Sequence, residues 1–200
     1  MVSAIKVAIV VEGGPTPPKQ KAGRDAELQA MNIEIQGLRQ AWGKLLGVAV
    51  EPTGSYPNAV ASYKARIKNK ENVLLLVDSD GADRKTWLKQ QRLEDAGENV
   101  FFMVQTVEAW FLSQPQIIEA QYGTYKENAT KIAVLLEKYP NYEAIEKPKD
   151  VLTTLLYECF IAAKYRPKQE AALVERLDID LLKNTFSEAR NLFERIYLKE

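Results

Sequence analysis

Apolar and polar positions along this chain change rhythm once, near its middle. In the first half, unbroken apolar runs alternate with stretches of three- and four-residue spacing. The run Val73-Leu74-Leu75-Leu76-Val77 is the clearest: five apolar residues in succession mark a parallel strand buried on both faces. Ile5-Lys6-Val7-Ala8-Ile9-Val10-Val11 reads as a strand too, and residues 47–52 and 99–104 give two more. Between them Leu28, Met31, Ile35, Leu38, Trp42 and Leu45 recur at helical spacing. So do Val60, Tyr63 and Ile67 within residues 58–68, and Trp87, Leu88, Gln91 and Ala96 beyond Gly81. The order βαβαβαβ predicts right-handed crossovers and a parallel sheet.

After Thr106 helical spacing takes over, and residues 117–122, 131–139, 151–164 and 181–197 are the expected helices. The third is best marked, with Pro148 placed for its first turn and Pro167 beyond its end. Cys159, on the apolar face of that helix beside Phe160, is expected to be a buried thiol. The change of rhythm divides the chain into an α/β domain over residues 1–114 and a C-terminal helical subdomain over residues 115–200.

Both clear strands end on acid. Val77 is followed by Asp78-Ser79-Asp80-Gly81, and Val11 by Glu12-Gly13-Gly14. The carboxyl ends of parallel strands are where open α/β sheets place ligands. Carboxylates gathered there raise one another's pKa unless a cation neutralises them, and an oxygen-only donor set suits Mg²⁺ or Mn²⁺. Structural roles compete with this reading: Glu12 serves equally as a loop cap, and Asp-Ser-Asp-Gly is a good turn sequence. What favours metal is the co-occurrence of acids on neighbouring strand ends.

Composition narrows the chemistry. The chain has no histidine and a single cysteine, which removes His-dependent zinc sites, Ser-His-Asp hydrolases, Cys-His proteases and an intrachain disulfide. Lysine plus arginine and aspartate plus glutamate balance at 27 each, so a polyanion has to be met by a local patch. Lys147, Lys149 and Arg84 are candidates to neutralise a phosphate. Residues 1–11 read as a strand and not as a signal peptide, and no apolar run approaches the roughly 20 residues of a membrane span. A cytoplasmic protein with no membrane partner is the expectation. The segment 13–23, dense in proline and glycine, reads as a long loop placed to cover the acidic edge.

Val11-Glu12-Gly13 followed at a later strand end by Val77-Asp78-Ser79-Asp80-Gly81 resembles the Toprim domain, shared by topoisomerases, DnaG-type primases and OLD-type nucleases. Val107-Glu108-Ala109-Trp110-Phe111-Leu112, Lys147-Pro148-Lys149 and Tyr165-Arg166-Pro167-Lys168 look like a bacterial Toprim-like family of unknown function, whose members are commonly encoded beside ABC-type ATPases in anti-phage defence loci. The resemblance implies a Toprim-like (Rossmann-like) α/β fold: a four-stranded, mostly parallel sheet flanked by helices, with a C-terminal helical extension. It implies that Glu12 is the acid/base glutamate and a metal ligand, that Asp78 and Asp80 are the metal-binding pair, and that Glu108 is a further acidic ligand. Lys149 is then a catalytic cation, with Arg84, Lys147 and Lys168 as substrate contacts.

The implied function is a Mg²⁺- or Mn²⁺-dependent nuclease acting on DNA or RNA, the effector of an ATPase-gated defence complex, with room for a homodimer. An inactive scaffold or sensor binding the ATPase through the helical half is the alternative. Nucleotidyl or glycosyl transfer on an Asp-x-Asp leaves Glu12 without a role. The Asp-x-Asp follows the third strand, which is wrong for haloacid-dehalogenase-type phosphatases, and no P-loop motif is present.

Overall fold

A computed structural model describes residues 7–15, 25–123, 125, 131–160, 163–166 and 169–197, with side chains from residue 29 onward in the first helix. Most of the loop expected over 13–23, together with Pro167 and Lys168, lies outside the described residues.

Four strands, β1 (Ala8–Val11), β2 (Ala49–Pro52), β3 (Val73–Asp78) and β4 (Val100–Met103), form one sheet in the order β2-β1-β3-β4. All three pairings are parallel. Each crossover carries a helix: α1 (Asp25–Leu46), α2 (Tyr56–Lys68) and α3 (Arg84–Gln91). The continuous apolar runs are explained by what covers each face. Ile9, Val11, Leu74, Leu76, Phe101 and Met103 pack into a large core shared with α1 and the helical half. Val10, Leu75, Val77, Val100 and Phe102 point the other way, toward Tyr63 of α2 and Trp87 of α3. Strands with helices on both faces have no polar side to show.

The helix expected beyond Gly81 is shorter than its spacing suggests. Arg92 adopts a left-handed conformation (φ 53°) that stops α3, and residues 94–99 continue as a 3-10 helix, Glu94–Asn99. Leu93, inside this break, is buried in the core with Tyr63 and Trp87, and Ala96 packs against that core partly buried.

The helical half consists of α4 (Val107–Leu112), α5 (Pro115–Tyr122), α6 (Ile132–Leu136), α7 (Pro148–Cys159), α8 (Glu170–Val174), α9 (Ile179–Thr185) and α10 (Ser187–Tyr197), with a short 3-10 turn at Tyr142–Ala144. Cys159 is a buried thiol on α7, which ends at Phe160 in extended conformation, short of the expected residue 164. The single helix expected over 181–197 is two. Phe186 is extended between them (φ −119°, ψ 121°), and Asp178 caps α9 by accepting from Leu181 N–H at 3.0 Å. At the break the Phe186 ring is fully enclosed, 6.2 Å from Trp110, which in turn meets Trp42 of α1 edge-on at 6.0 Å. One core therefore runs from the sheet through α4 into α9 and α10.

Because that ring anchors the α9/α10 corner, Phe186→Ala is expected to cost about 3–5 kcal/mol of stability in chemical denaturation. A loss below about 1 kcal/mol would show that the corner is held by something other than ring burial.

Candidate metal centre at the carboxyl edge of the sheet

The register of β1 on β3 pairs Val11 with Leu76, which leaves Glu12 beside the end of β3. Glu12 N–H donates to Leu76 C=O at 2.9 Å, continuing the ladder one residue past the strand. In return Asp78 N–H donates to Glu12 Oε2 at 3.1 Å. The backbone N–H of Tyr56, at the start of α2, donates to the same carboxylate. Burial nevertheless dominates: it pushes the Glu12 carboxyl up to about 7, the Asp78 N–H bond opposing and the charge of Asp80 reinforcing.

The ends of β3 and β4 are laced together. Ser79 N–H donates to Met103 C=O at 3.2 Å, Asp80 N–H to Gln105 C=O at 3.0 Å, and Gln105 N–H to Ser79 Oγ at 2.8 Å. Val107 N–H, opening α4, donates to Asp78 Oδ1 at 3.2 Å. Asp80 (φ 47°), Gly81 (φ 77°) and Gln105 (φ 61°) are left-handed, a conformation that aspartate and glycine tolerate best, and it turns the chain sharply at the strand end. Asp78 sits well above the usual carboxylate range, through burial first and then the charges of Glu12, Glu108, Asp80 and Glu170. Asp80 is exposed.

Glu108, on the first turn of α4, is buried, and the Tyr165 hydroxyl hydrogen-bonds with it. Burial first, then the charges of Glu108 and Glu170 and that bond, hold the Tyr165 phenol far above its ordinary value. Glu170 is the member the sequence analysis missed. It opens α8, is 8% exposed, and is pushed up to about 8 by burial and by Glu108, with Lys149 opposing and Glu12 adding. Its Oε1 is enclosed without a hydrogen-bond partner and lies 3.0 Å from where a Cβ on Gly13 would stand. A signal for it was present: Glu170, Leu173 and Val174 share one helical face, so a residue in phase with two core positions had to point inward.

The structure thus brings Glu12, Asp78, Asp80 and Glu108 into mutual electrostatic contact and adds Glu170 and Tyr165. Lys149, exposed at the start of α7, is near enough to act on Glu170. Lys147 instead lines a cleft with Lys138, Tyr139 and Asn141, whose lining includes none of these acids. Lys168 lies outside the described residues.

Arg84, expected at the substrate, is committed elsewhere. Its Nη1 donates to both Glu188 oxygens at 2.9 and 3.0 Å, and its Nη2 to Gly97 and Val100 C=O at 2.7 Å each. The guanidinium also lies 5.4 Å over the Phe102 ring. Glu188 in turn accepts from Phe102 N–H at 3.2 Å, so Arg84 ties α3, β4 and α10 together and has no fork left for a phosphate.

Among the described residues no three carboxylates stand at the spacing of a finished metal shell. The donor chemistry nevertheless fits a hard divalent cation: oxygen donors only, mutual charge that burial leaves unrelieved, and one buried oxygen with no partner. Glu12 and Asp78 each spend a named oxygen on a backbone N–H and, being carboxylates, each carry a second.

The raised carboxyls set the sign of a pH dependence. A group whose folded pKa exceeds its unfolded one contributes stability fully below the unfolded value, and loses it as pH rises through the folded value. For Glu12 and Glu170 those folded values are about 7 and about 8. Metal-free protein should therefore melt at progressively lower temperature as pH rises from about 5 to about 8.5. A flat or rising melting curve across that window, measured in chelator, would contradict the cluster as described. Arg84→Ala is expected to lower stability by about 1–3 kcal/mol through the orphaned Glu188 and backbone carbonyls, while leaving divalent-metal affinity unchanged in calorimetry.

No family model matches the chain, and no curated protein matches it. Among solved structures, the C-terminal region of the Burkholderia pseudomallei OLD protein is similar, with a TM-score of 0.50 at 17% identity, covering 94% of this chain and 96% of that one. At that identity the likeness shows the fold alone. Together with the four parallel strands and their flanking helices, it makes this a Toprim-like α/β fold.

Proposed function

We propose that this chain is a Mg²⁺- or Mn²⁺-dependent phosphodiesterase acting on DNA or RNA. The observation that carries the proposal is the coupling of two acidic strand ends through the Asp78 N–H to Glu12 Oε2 bond, with both carboxyls raised first by burial, Asp78 further by the charge of Glu12 and Glu12 by that of Asp80. Glu12, Asp78 and Asp80 would hold the ion, and Glu108 would add a carboxylate behind them. A bound divalent ion supplies Lewis-acid stabilisation of a phosphoryl oxygen and of the leaving oxygen. Glu12 would accept a proton from an attacking water, the acid/base role that the resemblance implies. Lys149, exposed beside Glu170, offers a cation to the phosphate. With a formal net charge of zero, the chain has little general attraction for a polyanion, and this supports a role as effector subunit beside an ATPase that delivers substrate.

One observation favours a second reading, that of a non-catalytic scaffold or sensor. Glu12 caps the end of β3 and the start of α2, Asp78 caps α4, and no three described carboxylates stand at ligand spacing. Acids used in this way also serve a purely structural edge.

Asp78→Asn with Asp80→Asn separates the two, because asparagine keeps an oxygen for the Val107 N–H while removing the charge. In the presence of Mg²⁺ or Mn²⁺, and with the partner ATPase added, the double variant is expected to lose at least about 100-fold in cleavage of plasmid, single-stranded DNA or RNA. Wild-type cleavage by the double variant would sink the assignment, and stable ATPase binding without any cleavage by wild type would establish the scaffold.

A further inference from the structure

We propose that Glu170 is a further ligand of the divalent cation, donating through Oε1 into the gap that Gly13 leaves open. The inference rests on the metal site of the preceding section and extends its donor set to the helical half of the chain.

The geometry comes first. Gly13 follows the proposed ligand Glu12 directly and has φ +131°, a conformation that side-chain-bearing residues rarely adopt. A Cβ there would stand 3.0 Å from Glu170 Oε1, so the Glu170 carboxylate lies against the backbone of the β1 end, inside the acidic edge and not at its rim. Leu38 of α1 limits the same space, its Cδ2 lying 3.9 Å from that Cβ position. The carboxylate is therefore enclosed by the strand end, α1 and α8 together.

The second observation is the state of the carboxylate itself. Glu170 is 8% exposed, and its Oε1 has neither a hydrogen-bond partner nor water access. A buried carboxylate oxygen left unpaired is costly, and native proteins resolve such atoms with a donor, a water or an ion. Among the described residues, the charged neighbours that act on Glu170 are Glu108, Glu12 and Lys149, two of them acids, and the Tyr165 phenol feels its charge. Asp78 feels Glu170 in the same way, alongside Glu12, Glu108 and Asp80. Among the described residues, one exposed lysine thus faces several carboxylates. An apolar residue would fill the inward position of α8 at lower cost, since Leu173 and Val174 on the same face are fully buried. A cation with affinity for oxygen relieves all of these groups at once, and drawing Glu170, Glu12 and Asp78 onto it supplies the third donor that no described trio presents beforehand.

The test is Mn²⁺ binding to the metal-free full chain by calorimetry, comparing wild type with Asp78→Asn, Glu170→Gln and Glu170→Asp, alongside melting in chelator. Glu170→Gln is expected to weaken Mn²⁺ binding at least about tenfold, and Glu170→Asp by less, because it keeps the charge but withdraws it by one methylene. Since no hydrogen bond to Oε1 is lost, melting of metal-free Glu170→Gln should match wild type or exceed it. Equal Mn²⁺ affinity in wild type and Glu170→Gln overturns the inference, and leaves the metal site standing if Asp78→Asn has lost binding. A fall in metal-free melting as large as the loss of the Mn²⁺-induced shift marks Glu170 as structural and also overturns it. Unchanged affinity in Asp78→Asn, or no binding by wild type, overturns this inference and the metal site together. If Glu170→Gln does not fold, the Glu170→Asp comparison decides on the same criteria.

Discussion

The parallel pairing of β1 with β3 is the constraint on which the rest depends. Its register, Val11 on Leu76, sets Glu12 one residue beyond the ladder and directly against the Asp78 N–H. A slip of one residue would carry Glu12 to the opposite face and leave that N–H without its acceptor. Slippage is blocked because alternate residues of both strands are committed to different cores: Ile9, Val11, Leu74 and Leu76 on one side, Val10, Leu75 and Val77 on the other. The electrostatic strain at the edge is thus held in place by apolar packing some residues upstream.

The helical half closes that edge. Tyr165 reaches Glu108, Glu170 lies against Gly13, and Lys149 acts on Glu170, so three residues far along the chain meet a site begun by the first strand. α8 packs on α1 and α7 on α4, and the aromatic series from Trp42 through Trp110 to Phe186 ties α1 and α4 to the α9/α10 corner. Electrostatics specify the edge, and helix packing fixes its geometry.

The sheet was legible in the sequence because strands buried on both faces write themselves as unbroken apolar runs, and the acids at their ends stand out by contrast. Glu12, Asp78, Asp80 and Glu108 fall where strand or helix ends place them. Glu170 was obscured because its helix is a single turn and a half, so its phase with Leu173 and Val174 marks an inward position but not what that position meets, and its meeting with Gly13 is purely tertiary. Arg84 was misread for a related reason. A basic residue just after an Asp-x-Asp looks like a phosphate clamp, but its partner Glu188 lies 104 positions away, and no local pattern reveals a pairing at that distance. The break at Phe186 is invisible to helical spacing because a buried ring satisfies the pattern whether the backbone continues or turns.

The Glu188 carboxylate, fixed by Arg84 and accepting from Phe102 N–H, also decides how the sheet can grow. β4 is an outer strand, and its free amides are the natural template for a fifth strand from another chain. Here one of those amides is already taken by an anion, and α10 lies alongside the strand. Edge-to-edge joining of two copies is therefore closed on the β4 side, and any assembly built by sheet extension has to begin at β2.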